Sequence, residues 1–181
     1  MIAIRLAQES DLPALFAYLG EQLLENGRDG MALFQPMART DDPLVPEPMR
    51  ARFTAGMATP LDEPGWRRVW IALDAHGAIA GHIDLRAHAE AEAAHRAVLG
   101  MGVHRGHRRH GLGARLVDAA LSWARATPTL AWVDLDVLSA NTAARRLYER
   151  TGFVQIGEIA DLYRIDGESI GSVMMSCRLH R

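Results

Sequence analysis

The 181-residue chain has a single cysteine, Cys177, so no disulfide can form within it and a reducing, cytoplasmic setting is expected. No apolar run approaches the roughly 20 residues of a membrane-spanning helix. The opening MIAIRLAQESD reaches charge too early for a signal peptide, so no membrane partner is expected. A large positive charge is also missing: the formal net charge is −2, which excludes a polycation built to coat nucleic acid. Repeats, low-complexity tracts and linkers are absent as well, and residues 1–181 read as one domain, long enough to bury a substantial core. What is present is ordinary for a globular protein, with 49% hydrophobic and 23% charged residues.

The charge is not evenly spread. Between His104 and Arg115 stand four arginines, three histidines and no acid. This run lacks the interleaved aromatics that stack on bases, so nucleic acid is not the expected partner. His104, His107 and His110 have no cysteine or carboxylate companion at ligand spacing, and no metal site is expected.

Apolar spacing supplies the elements. A short strand over 2–6 precedes Ser10 and Asp11, which offer helix-capping chemistry, and Pro13, tolerated in a first turn. Leu12, Leu15, Phe16, Leu19 and Leu23 then recur at helical spacing, to about Leu24. Residues 26–48 form a long connection broken by glycine and proline, a feature often tied to function. A second helix spans 49–57. Strands over 68–73 and 78–85 flank the turn at Asp74–Gly77, and a third covers 97–103. Leu112, Leu116, Ala119, Ala120, Trp123 and Ala124 make one helical stripe. A strand over 130–138, a helix over 141–151 closed by Gly152, and strands over 154–159 and 172–179 complete an α+β order, β-α-α-β-β-β-α-β-α-β-β.

Two constellations carry chemistry. Arg108-Arg109-His110-Gly111-Leu112-Gly113 joins a strand to a helix. Glycines let the backbone approach a ligand, and the first N–H groups of a helix lack internal acceptors at the positive end of its dipole. The result suits a diphosphate, with Arg105, Arg108 and Arg109 at hand. Taken alone, the turn also reads as a solvated basic loop. No Gly-Lys-Ser/Thr follows, so it is not a nucleotide-hydrolase phosphate loop, and the glycine spacing fails the dinucleotide fingerprint. The second constellation pairs Asn141 with Tyr148, seven residues apart and thus on one helical face; capping and packing explain them equally well in isolation.

Together these residues resemble a known family. Arg-x-x-Gly-x-Gly at 108–113, after Leu99-Gly-Met-Gly-Val103, resembles the coenzyme A motif of the GNAT N-acetyltransferase superfamily. Leu135-Asp-Val-Leu-Ser-Ala-Asn141, with Ala144, Leu147-Tyr148 and Gly152-Phe153, is similar to its second motif. The likeness is close over residues 68–160. It implies the GNAT acyltransferase fold, a mixed sheet of about seven strands flanked by about four helices, with a splayed strand pair forming the coenzyme A cleft. It implies an enzyme that moves the acetyl group of acetyl-CoA to a primary amine of a small molecule or peptide, by direct attack in a ternary complex and without metal. A catalytically weak acyl-CoA-binding regulatory module is the alternative, and a homodimer is compatible with either.

The resemblance also assigns roles. Met101, Gly102 and Val103 would lie along pantetheine, with Met101 and Val103 offering backbone groups as a strand edge does. Backbone N–H groups of Arg108, Arg109, His110, Gly111, Leu112 and Gly113 would hold the diphosphate, and Asn141 would touch coenzyme A from the other side. Tyr148 would be the general acid, because a thiolate with a conjugate pKa of about 8.5 must leave and a phenol near ~10 can protonate it. Many members carry a glutamate where this chain has Val98. The remaining candidates for the base are Asp84, His82, Asp134, Asp136 and a water chain, with Asp84 preferred. Cys177 alternates with Val173, Met175 and Leu179 and reads as a core thiol. Residues 26–48 and 160–171 would line the acceptor pocket, where Asp29, Asp41 and Asp42 could attract a cationic amine.

Overall fold

The structure, a computed structural model, describes residues 2–180. Seven strands form one sheet: β1 (Ala3–Leu6), β2 (Arg67–Leu73), β3 (Ile79–Ala87), β4 (Arg96–Val103), β5 (Trp132–Leu138), β6 (Val154–Ile165) and β7 (Glu168–Arg178). Four helices flank it: α1 (Leu12–Glu25), α2 (Glu47–Ala58), α3 (Leu112–Arg125) and α4 (Thr142–Arg150). The strand order is β1-β2-β3-β4-β5-β7-β6, antiparallel except for β4 and β5. That parallel neighbour requires a crossover, which α3 supplies.

The period-two alternation of strands decides what each face receives. Ile83 and Leu85 of β3 pack with Leu99, Leu116, Val117, Ala120 and Val133 on the α3 side, all buried. Leu15, Leu19 and Leu23 of α1 and Phe53 of α2 cover Val69 and Ile71 on the opposite face. Full burial of each such side chain contributes about 1.5–3 kcal/mol. By the same alternation His82 and Asp84, also buried, fall on the α1 face. Polar groups are thereby fixed beneath the first two helices.

The parallel pair is short. Arg96, Ala97 and Val98 align with Trp132, Val133 and Asp134, and there the ladder stops, although β4 runs on to Val103 and β5 to Leu138. This is the expected splay.

Two segments differ from the sequence reading. β6 and β7 extend to a two-residue turn, Asp166 and Gly167, both at positive φ (50° and 81°), the geometry that suits a tight hairpin. Register shifts at Gln155/Gly157 and Ile159/Tyr163 break the apolar alternation, which is why the strand appears shorter in sequence. The connection over 26–48 is ordered by side chains instead of by a ladder. Buried Asn26 accepts from the N–H groups of Phe34 (2.8 Å) and Gln35 (3.0 Å) and donates to the carbonyls of Gln35 and Met37. Arg39 pairs with Asp166 (2.9 Å) and Glu168 (3.0 Å), fastening the connection to the β6–β7 turn. Leu33 packs there with Leu138, Ile165 and Ile170.

Candidate active site

At the end of β4 a short 3-10 turn (Arg105–His107) leads into the glycine turn and α3. Arg109 (φ 67°) and Gly111 (φ 78°) are both left-handed, so the peptide planes between them curl into a concave row of N–H groups. The N–H groups of Arg109, His110, Gly111, Leu112 and Gly113 find no acceptor among the described residues. They face outward at the positive end of α3, as an anion site requires. Arg108 behaves differently. Its N–H closes the turn on Arg105 O (3.4 Å), and its side chain donates to Val103 O (2.8 Å) and pairs with Glu25 (2.7 Å). Arg105 also leans on Glu25, at 3.5 Å. The expected help of these two guanidiniums is therefore redirected toward α1, and of the three only Arg109 forms no ion pair among the described residues.

Beyond Val98 the two splayed strands leave an open slot. His104 N–H donates to Ala80 O, and in the antiparallel register this makes Gly102 and Gly100 the residues bonded to β3. Backbone groups of Leu99, Met101 and Val103 then point the other way, into the slot. The three motif segments meet at its edge: the position of a Cβ on Gly113 would lie 2.9 Å from Leu147 Cδ2 and 3.6 Å from Met101 Cε. Asn141 caps α4 by accepting from Ala144 N–H (3.2 Å), which leaves its amide N–H₂ free. Tyr148, two turns along, is buried with its ring edge-on to Phe153 at 5.7 Å. Burial holds its phenol well above the usual value, so the proton stays on.

The α1 side of the slot carries the other groups. Asp84 is 3% exposed, with Oδ2 3.2 Å from Arg86 Nη1 and 3.5 Å from Arg67 Nη1. Its Oδ1 accepts no hydrogen bond among the described residues and lies 2.8 Å from where a Cβ on Gly100 would stand. Arg67 in turn rests on the Phe53 ring at 4.0 Å. His82 is buried one register step away, and desolvation lowers its imidazole to about 4. Val98 faces Arg86 across the ladder. Asp134 is gripped by Arg96 through two 2.6 Å bonds and by the Ser176 hydroxyl, while Asp136 is exposed.

Tyr18 and Gln22 were missed by the sequence reading, yet both are buried against Gly102. The available signal was their place in the apolar stripe of α1, between Leu15, Leu19 and Leu23. The loop acids are otherwise engaged: Asp41 pairs with Arg28 (2.6 Å), and Asp42 accepts from Leu44 N–H (2.9 Å) in a local turn. Asp29 holds a left-handed turn position, φ 52°. The His104 and His107 rings lie 5.9 Å apart, tilted by 55°, and no cluster of three metal-ligating side chains occurs among the described residues. Cys177 is buried in the core, where desolvation raises its thiol.

Comparison with known proteins gives the same picture. The family model for the acetyltransferase (GNAT) family matches residues 36–153. The catalytic subunit NAA10 of the N-terminal acetyltransferase A complex of Arabidopsis thaliana is 30% identical over 100 residues. That match covers 55% of this chain and 52% of the relative, so the chain spans about half the length of that protein. A GNAT-family acetyltransferase from Streptococcus pneumoniae superposes with a TM-score of 0.80 at 25% identity, over 99% of this chain and 100% of that one. The yncA protein of Salmonella typhimurium, in a structure with acetyl-CoA, gives 0.80 at 18% identity over 100% and 95%.

Proposed function

The chain belongs to the GNAT family of acetyltransferases, and from that premise we propose that it acetylates a primary amine of a small molecule or peptide by direct attack in a ternary complex. The family makes it an acetyl-CoA-dependent acyltransferase; the acceptor and the route are our reading. The observation that carries it is the parting of β4 from β5 after Val98, next to a row of outward N–H groups. An extended chain ending in a diphosphate fits a strand edge followed by an anion nest.

Met101 and Val103 would hold the pantetheine, with Gly102 between them turned to β3, and the N–H groups from Arg109 to Gly113 the diphosphate, with the Arg109 side chain adding charge. Asn141 would contribute its free amide N–H₂. Acetyl-CoA supplies an activated acyl thioester, whose carbonyl carbon is open to an amine. Tyr148 keeps its proton at working pH and would deliver it from Oη to the departing sulfur. Asp84 would receive the amine at Oδ1 and take its proton, while Arg67 and Arg86 fix the carboxylate through Oδ2. We further infer that residues 1–181 work as one N-acetyltransferase domain, since every strand joins one sheet.

Turnover of acetyl-CoA with a panel of primary amines, beside a coenzyme A binding measurement, tests the reading. The chain contains no lysine, so no side-chain amine of its own competes in the assay. Turnover with at least one amine is expected. Binding without turnover across the panel would instead assign a regulatory acyl-CoA-binding module.

A further inference from the structure

A cavity of about 30 Å³ opens beside Met101 and Gly102, walled by Leu19, Leu23, Phe34 and Met49. Its polar lining is Gln22, Gln35 and His82, and Tyr18 joins Gln22 and His82 over Gly102 at its edge. Tyr18 Oη, Gln22 Nε2 and His82 Nδ1 are buried and have no hydrogen-bond partner among the described residues. The side chains that carry them converge: a Cβ on Gly102 would lie 3.3 Å from Tyr18 Oη itself, 3.1 Å from Cε1 of the His82 ring, which is bonded to Nδ1, and 3.4 Å from Oε1 of the Gln22 amide. One orphaned polar group is a local cost to stability, but three on side chains that meet over one glycine describe a site that lacks its partner. Only glycine at position 102 leaves the space open.

The chemistry of the partner follows from the atoms. Gln22 Nε2 is a donor, Tyr18 Oη can donate, and His82 Nδ1 does so in one tautomer. The surrounding charges are already balanced. Arg108 approaches Gln22 Oε1 at 3.5 Å but is neutralised by Glu25 at 2.7 Å. Glu21 and Glu25 stand behind Tyr18, and beyond His82 the charges of Asp84 and Arg67 face each other. Among the described residues no uncompensated cation meets the cavity, so a carboxylate has no counter-charge there. An uncharged oxygen meets the Tyr18 hydroxyl, with the Gln22 amide and the His82 ring beside it. In the absence of a ligand, the volume suits one water.

The register gives the distance. Asp84 sits opposite Gly100 and His82 opposite Gly102, so the proposed amine position and the cavity are two strand residues apart, about 7 Å. We infer that this cavity is a specificity subsite of the acceptor: it takes a carbonyl or hydroxyl oxygen carried about 7 Å from the reacting nitrogen. This rests on the acceptor position assigned above. An acceptor oxygen would give these polar groups the partner they lack, whereas a methylene in the same place would leave them stranded.

The test compares two primary amines of equal length, one with an amide carbonyl at that distance and one all-methylene. Each is titrated calorimetrically into the coenzyme A complex and assayed for kcat/KM. The parent should favour the carbonyl-bearing amine by about 10-fold or more, chiefly through KM. Tyr18→Phe and Gln22→Met should each pull that ratio toward one, with circular dichroism confirming the fold. Equal binding of the two amines by the parent, or an unmoved ratio in both variants, overturns the subsite. So does stronger binding of a third amine that carries a carboxylate at the same place. Discrimination in the calorimeter without acetyl transfer would sink the transferase reading and leave the subsite standing; transfer without discrimination does the reverse.

Discussion

Replacing Tyr148 with phenylalanine separates chemistry from packing. The ring is buried, and its edge contact with Phe153 survives the change. The hydroxyl donates to no group among the described residues, so the variant loses no hydrogen bond there and stability should move by less than about 1 kcal/mol. Coenzyme A affinity should hold too, because the N–H row at Arg109–Gly113 lies on a different element. The proton on Oη is gone, however, and general-acid loss typically lowers rate by about 10²-fold, equivalent to about 2.7 kcal/mol in the barrier. Since the interaction matters in the transition state, kcat and kcat/KM should fall together. Single-turnover acetyl transfer to a confirmed acceptor is the assay, because slow product release would otherwise mask the step. Burial raises the phenol, so the parent should show no loss of rate from Tyr148 ionisation anywhere in the neutral range. If the phenylalanine variant matches the parent in single turnover, Tyr148 is only a wall and the leaving sulfur finds its proton elsewhere.

Gly111→Asp should abolish coenzyme A binding, read by calorimetry, while the protein stays folded: no atom crowds the position, and the left-handed φ costs about 1–3 kcal/mol for a side chain. Asp84→Asn should lower both kcat and the melting temperature. It leaves buried Arg67 without its counter-ion, a loss of about 3 kcal/mol or more, and an unchanged melting temperature would contradict the pairing. His82 is held neutral by desolvation, with Asp84 acting in the opposite direction and Arg67 reinforcing it. Its folded value near 4 lies below the ordinary 6.5, so the unfolded chain binds more protons and stability should fall as pH drops from 6.5 toward 4. In His82→Gln that part of the urea-denaturation pH profile should flatten.

Most of the fold was legible in the sequence because it rests on periodicity. The apolar stripe of α3, the alternation of Val133, Leu135 and Val137, and the stop at Gly152 are local patterns with local causes. The glycine turn was legible for the same reason: a left-handed residue and a helix start are written in adjacent positions. Contacts across the chain were not. Arg108 belongs by spacing to the anion turn, but Glu25, 83 residues earlier, draws its side chain toward α1. Asp84 reads as a free strand acid until β2 brings Arg67 beneath it. Tyr18, Gln22 and His82 lie on two elements joined by no motif, and each alone looks like an ordinary half-polar residue. Periodicity is set by neighbours within a few residues, so one chain can carry it in plain view. Burial and charge pairing are set by which faces the sheet order presses together, and only the folded topology decides that.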